Sequence, residues 1–201
     1  VGDVCPSGQL TDTFASSFAA YPSSANFAES RLYVEYQEDV FVGYRYFETI
    51  PGAAASVCYP FGYGLSYTTF ALSDVRGGMN GAGEIALSAT VTNTGLCAGK
   101  YVLQAYVNPP KGRIAKPAAA LVGFAKTRLL EPNESETLTV SFAPYAFATY
   151  DDEGAVRKSA YVLEKGAYGF RVGENVRETV NVDYRYELDD DAILEQLSPK
   201  C

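Results

Sequence analysis

The sequence predicts a mainly β chain, a sandwich of two packed sheets with about seven short strands behind an irregular N-terminal extension. Three observations predict it. From Ile85 onward, short runs alternate apolar and polar residues with a period of two. Asn, Gly and Pro punctuate those runs at turn-like spacing. The composition, 47% hydrophobic with 16 Tyr, 11 Phe, 18 Gly and 10 Pro in 201 residues, suits a sheet core joined by many turns. The length fits one domain, or one domain with an appendage.

In chain order, Val1 to Ala28 holds Pro6, Gly8, Pro22 and scattered serines without a sustained period, and reads as irregular. Arg31 to Tyr36 and Val40 to Phe47 are strand candidates rich in Val, Tyr and Phe, separated by Gln37, Glu38 and Asp39. Pro51 to Ser56 is a small-residue loop, Pro60 to Ser66 a turn, and Tyr67 to Val75 the first strand of the sandwich.

The next runs carry the fold prediction. Ile85, Leu87, Ala89 and Val91 place one apolar face on a core, as do Tyr101, Leu103, Ala105 and Val107, with Val102, Gln104 and Tyr106 on the opposite face. Asn93-Thr94-Gly95 and Asn108-Pro109-Pro110 supply turns. Ala120 to Leu130, Glu136 to Phe142, Ala155 to Tyr161, Tyr168 to Val172 and Thr179 to Tyr186 complete the strands of an immunoglobulin- or fibronectin-III-like sandwich. Glu131-Pro132-Asn133 reads as a turn, in preference to Asn133-Glu134-Ser135 serving as a glycosylation acceptor. From Leu188 to Cys201 the pattern changes: an aspartate among Asp189 to Asp191 would cap a short helix through Leu197. A calcium loop would need alternating ligand spacing, which the run lacks, so no metal site is assigned.

Charge and residue inventory exclude several functions. A net charge of −8 with scattered Lys and Arg gives no basic stripe for nucleic acid. No run reaches the roughly 18 apolar residues of a membrane helix. The absence of histidine removes Ser-His-Asp and Cys-His chemistry and the H-E-x-x-H metal site. Cys5, Cys58, Cys97 and Cys201 form no C-x-x-C pair and are expected to be buried free thiols. Val1 to Leu10 has neither the basic nor the apolar segment of a leader, and the chain is expected to be cytoplasmic rather than secreted, with its true N-terminus not visible.

The densest stretch is Glu35 to Phe70, EYQEDVFVGYRYFETIPGAAASVCYPFGYGLSYTTF, where Tyr36, Tyr44, Tyr46, Phe61 and Tyr63 accompany Arg45, Gly62 and Gly64. Its pieces EDVFVGYRYFE and YPFGYGLSYTTF resemble the junction between the α/β sandwich and fibronectin-III-like domains of glycoside hydrolase family 3. VGDVCPSGQLTDTFA resembles the end of that sandwich domain, and VTNTG, GKYVLQAYVNPP, LVGFAKTRLL and GAYGFRVG resemble successive parts of the fibronectin-like one.

The resemblance implies three parts: 1–66 as the tail of the α/β domain and junction, 67–187 as the fibronectin-like sandwich, and 188–201 as a linker with a short helix. The tail of the chain resembles, more weakly, the connector to a barrel domain that follows instead of precedes. The parent enzyme would be a retaining β-glucosidase-like glycosidase acting on terminal β-D-glucosides or related β-glycosides, which needs two carboxyl groups about 5 Å apart. Neither the nucleophile nor the acid/base motif is in this chain, so no catalytic residue is carried over and no cofactor is implied. The fragment would brace the missing barrel and sandwich domains and shape a wall of the substrate entrance.

Glu35, Glu38 and Asp39 are an acidic cluster better read as ion-pair or hydrogen-bond partners than as catalysts. Tyr36, Tyr44, Tyr46, Phe61 and Tyr63 are interface or sugar-stacking candidates, and Arg45 a cation-π and carboxylate anchor between domains. The alternative is an autonomous carbohydrate-binding or adhesive immunoglobulin-like module. Truncation would leave an apolar patch that promotes self-association.

Overall fold

The computed structural model describes residues 2–198. Strands β1 (Phe14–Ala15) and β2 (Val57–Tyr59) form a two-stranded antiparallel ribbon in the extension. They are followed by β3 (Phe70–Met79), β4 (Ile85–Asn93), β5 (Val102–Asn108), β6 (Ala120–Lys126) and β7 (Ser135–Phe142). After these come β8 (Thr149–Asp151), β9 (Ala160–Leu163), β10 (Gly166–Gly173), β11 (Thr179–Leu188) and β12 (Ala192–Gln196). One sheet orders β3-β4-β7 and the other β11-β10-β5-β6, giving the seven strands of the sandwich. A small third sheet orders β12-β9-β8.

The alternation in β4 sets the core. Ile85, Leu87, Ala89 and Val91 are fully buried and pack with Leu103, Val107, Val140, Phe170 and Val172 in a single cluster. The turn after β4 is held by Asn93, whose amide donates to the carbonyls of Cys97 (2.8 Å) and Leu130 (2.9 Å). Its Oδ1 accepts from the Thr68 hydroxyl (2.6 Å) and the Gly95 amide (3.1 Å), so the buried side chain satisfies both ends. The Glu131-Pro132-Asn133 turn forms with Asn133 at φ 66°, and β7 starts two residues later.

Several expected elements differ. Residues 31–36 form no strand, and Asn26 Nδ2 ties this excursion by donating to the Glu35 carbonyl (2.8 Å). Val40 to Phe47 is not a strand either: Gly43, at φ 57°, opens a single helical turn, α1 (Tyr44–Phe47). That turn puts Tyr44 and Phe47 on neighbouring sides at i and i+3, which lets both rings pack where a strand would oppose them.

Of the 155–161 run only Ala160 and Tyr161 are strand, the start of β9. The residues before it wrap Asp151, whose carboxylate accepts the amides of Gly154, Ala155, Val156 and Arg157 at 2.7–3.0 Å. Burial pushes that carboxyl up, but the four amides together hold it below its ordinary range. The expected C-terminal helix is β12, because the free edge of β9 offers Ala192–Gln196 a ladder that outweighs helix propensity. Asp191 caps no helix; it accepts from the Lys165 amide (2.9 Å) and pairs with Arg113.

Candidate functional site: the junction and its exposed groove

The extension is bolted to the sheet face that β5 turns away from the sandwich core. Tyr106 and Gln104, on that face, are 0% and 5% exposed. Tyr44 stacks on Phe61 with centroids 4.5 Å apart and meets Tyr106 edge-on at 6.3 Å. Its hydroxyl accepts the Leu121 amide at 2.9 Å, and the Phe61 carbonyl accepts the Val176 amide at 3.1 Å. Tyr106 donates its hydroxyl to Gln104 Oε1, while Gln104 Nε2 donates to Gln9 Oε1 (2.7 Å) and the Glu174 carbonyl (3.0 Å). Burial, with Tyr44 beside it, pushes the Tyr106 phenol well above its ordinary range, so it stays a donor.

Gly62 makes this approach feasible. It lies at φ 84°, and a Cβ there would sit 2.5 Å from Gln104 Nε2 and 3.0 Å from the Asn175 backbone. At the other end of the contact, Arg177 Nε pairs with Glu48 (2.8 Å) and the Ala118 amide donates to Thr49 (2.9 Å).

Beyond this contact lies an open groove of about 610 Å³, lined by Pro6, Gln9, Leu10, Phe14, Tyr59, Tyr63 and Leu65. Tyr59 and Tyr63 stack at 4.9 Å along its wall. Phe14, Tyr59 and Leu65 are about half or more exposed (52%, 48% and 69%). The lining holds no carboxylate, Lys or Arg, so the groove can take up apolar surface but cannot perform the two-carboxyl chemistry of glycoside hydrolysis.

The expected site residues therefore separate into groups. Tyr44 and Phe61 are docked on the sandwich, and Tyr63 lines the groove. Tyr46 is half-buried and meets edge-on the ring of Phe47, the one buried apolar side chain among described residues 2–66. Tyr36 projects at 80% exposed. Glu38 and Arg45 make no ion pair among the described residues, and Arg45 is an exposed rim of the crevice shared by Val40, Leu121 and Tyr150. Among the described residues Arg45 makes no cation-π contact. Glu48 and Arg177 supply an ion pair across the contact.

The expected buried thiols are also corrected. Cys5, Cys58 and Cys97 are free, but Cys58 and Cys97 are exposed at a ribbon strand and a turn; Cys201 lies outside the described residues.

Sequence reasoning missed a buried charge cluster below the third sheet. Glu164 (side chain 4% exposed) pairs with Lys116 (6%) and Arg113, and accepts the amides of Arg113 (2.7 Å) and Ile114 (3.2 Å). Burial alone would raise its carboxyl, but Lys116 and the two amides prevail and hold it at about 2. It is a structural anion, unfit as an acid near neutral pH. The signal in sequence was slight: Arg113 and Lys116 lie far along the chain from Glu164.

The fold is a two-sheet sandwich carrying an extension with an apolar groove, and known proteins share it. Residues 101–176 match the fibronectin type III-like domain family. β-Glucosidase A of Butyrivibrio fibrisolvens is 49% identical over all of this chain, which spans 26% of that enzyme. An exo-α-(1→6)-L-arabinopyranosidase of Bifidobacterium breve is 38% identical over 90% of the chain and 23% of its own length. The solved β-glucosidase from Paenibacillus barengoltzii superposes with a TM-score of 0.90 at 46% identity, over 98% of this chain and 22% of that one. The chain belongs to glycoside hydrolase family 3, as a fragment spanning about a quarter of such enzymes.

Proposed function

We propose that this chain is the non-catalytic brace of a retaining family 3 glycosidase whose substrates are terminal β-D-glucosides or related β-glycosides. One observation carries the proposal: the extension is firmly docked through Tyr44, Phe61 and Gln9, yet turns Phe14, Tyr59 and Leu65 outward around the groove. A docked segment that leaves Phe14, Tyr59 and Leu65 uncovered is one half of an interface, and the missing barrel and α/β domains supply the other half. In that enzyme the first 66 residues also shape one wall of the substrate entrance. Alone, the fragment associates with itself through the same face. The free thiols accord with a cytoplasmic protein.

The test is complementation in trans. A family 3 β-glucosidase lacking the corresponding stretch is mixed with this chain, and hydrolysis of an aryl β-glucoside is followed. The expected result is a stable complex with restored activity, and loss of both on Phe14→Ser with Leu65→Ser. Hydrolysis by the isolated chain, abolished by Glu38→Gln, would overturn the proposal.

A further inference from the structure

The third sheet carries a second aromatic surface, away from the groove. Tyr150 of β8 stands opposite Tyr161 of β9, and Glu195 of β12 stands opposite Tyr161 on its other side. Tyr145, from the turn Pro144–Phe147, completes the row. Ring centroids step 5.2 Å from Tyr145 to Tyr161 and 5.3 Å from Tyr161 to Tyr150, with planes tilted by 45° and 56°. The Tyr145 hydroxyl donates to Glu195 Oε2 at 2.6 Å, and Arg157 Nε donates to Gln196 Oε1 at 2.8 Å beside it. Tyr145 and Tyr150 remain 46% and 40% exposed, while Ala160 and Val162 on the inward side of β9 are fully buried.

We propose that this row is a binding surface for a soluble β-linked glucan chain. Tyrosine rings offer flat apolar faces to the C–H faces of pyranoses, and their hydroxyls stay at the edge where sugar hydroxyls lie. The three rings pack on one another, and Tyr145 and Tyr150, on either side of Tyr161, keep ring surface free to meet a sugar. Cross-strand pairing of Tyr150 with Tyr161 would by itself stabilise the sheet. The third ring comes from a separate turn and is fixed by Glu195, which extends the row beyond what pairing requires. The Glu195 carboxylate also selects the ligand. A dry protein contact would strip it of water and leave lone pairs without donors, whereas adjacent sugar hydroxyls supply them.

The choice of β-glucan as probe rests on the glycosidase reading above; the surface itself does not. The test is native electrophoresis of the 201-residue chain through gels containing a soluble mixed-linkage β-glucan, with glycogen as the α-linked control. Retardation by β-glucan but not glycogen is expected. Tyr161→Ala should weaken it by about tenfold or more, Tyr161→Phe should retain it, and exposed Lys100→Ala should leave it unchanged. Should Tyr161→Ala fail to fold, Tyr150→Ser provides the same reading. No retardation, equal retardation of the Tyr161→Ala or Tyr150→Ser variant, or loss of assembly with the complementing enzyme on Tyr161→Ala would overturn the proposal. The last result would make the row a protein contact. Failure of complementation with retardation intact would remove the brace and leave the glucan surface standing.

Discussion

Residues 2–66 and the sandwich that follows are both rich in aromatic side chains, but the two regions use them in opposite ways. The sandwich turns Tyr101, Phe142, Phe147, Tyr168 and Phe170 inward, onto one another and onto the aliphatic face of β4. The extension buries Phe47 and leaves Phe14, Phe18, Phe27, Tyr33 and Tyr36 40% or more exposed. A sheet closes its own apolar face, since each strand finds neighbours within the same chain segment. A segment with one short ribbon and one helical turn has no second layer of its own, so its stability comes from the surface it docks on. The extension is thus an ordered guest of the sandwich, and its uncovered side marks where a further host belongs.

The comparison breaks most severely at Tyr106, the residue both regions share. Tyr106→Ala should cost about 4 kcal/mol, by analogy with large-to-small aromatic substitutions in cores. Denaturant unfolding should then show two transitions in place of one, the extension detaching first. A single transition at the original midpoint would show that the extension contributes nothing to the stability of β5.

A smaller effect is expected within the sandwich. Glu164→Gln leaves Lys116 buried without its anion and should cost about 3 kcal/mol. The same carboxylate makes the fold acid-sensitive in a defined direction. Its folded value, about 2, lies below its ordinary 4.5, so it stabilises the fold at pH above 4.5. That stability is lost as pH falls from 4.5 toward 2. Asp151 and Asp191, both held low, act in the same direction. Melting temperatures measured across this window should decline for the wild type and be flatter for Glu164→Gln.

The smallest change sharpens the boundary. Gly62→Val meets Gln104 and Asn175 at a left-handed φ, and should cost about 2 kcal/mol. It should loosen the extension while the sandwich stays folded. Amide exchange read by mass spectrometry should quicken in 2–66 and remain slow in β4 and β10. Equal acceleration everywhere would mean that the two regions form a single cooperative unit.

Much of this was legible from sequence where one period governs one face. Ile85 to Val91 announced β4 because alternate residues meet a single core, and Asn93 announced the turn because its amide satisfies backbone groups that a turn leaves unpaired. Alternation places Tyr106 on the face of β5 turned away from the core, where it lies, but says nothing of whether a distant segment will cover that face, and the extension buries it completely. Tyr44 and Phe47 were read on a strand because β-prone residues dominate there, while Gly43 with its positive φ set a helical turn. Glu38 and Arg45 stayed apart although near in sequence, and Glu48 found Arg177 across more than a hundred residues.

By itself, then, the sequence determined the sandwich, its strands and turns, and the family, because these follow from local periodicity and from motifs spread along the whole chain. The tertiary structure alone decided that the extension is docked, that β12 is a strand completing the third sheet, and that Glu164 is caged by Lys116 and Arg113. Each of these depends on which free edge, glycine gap or buried charge a remote segment happens to meet, and contacts of that kind carry no period along the chain.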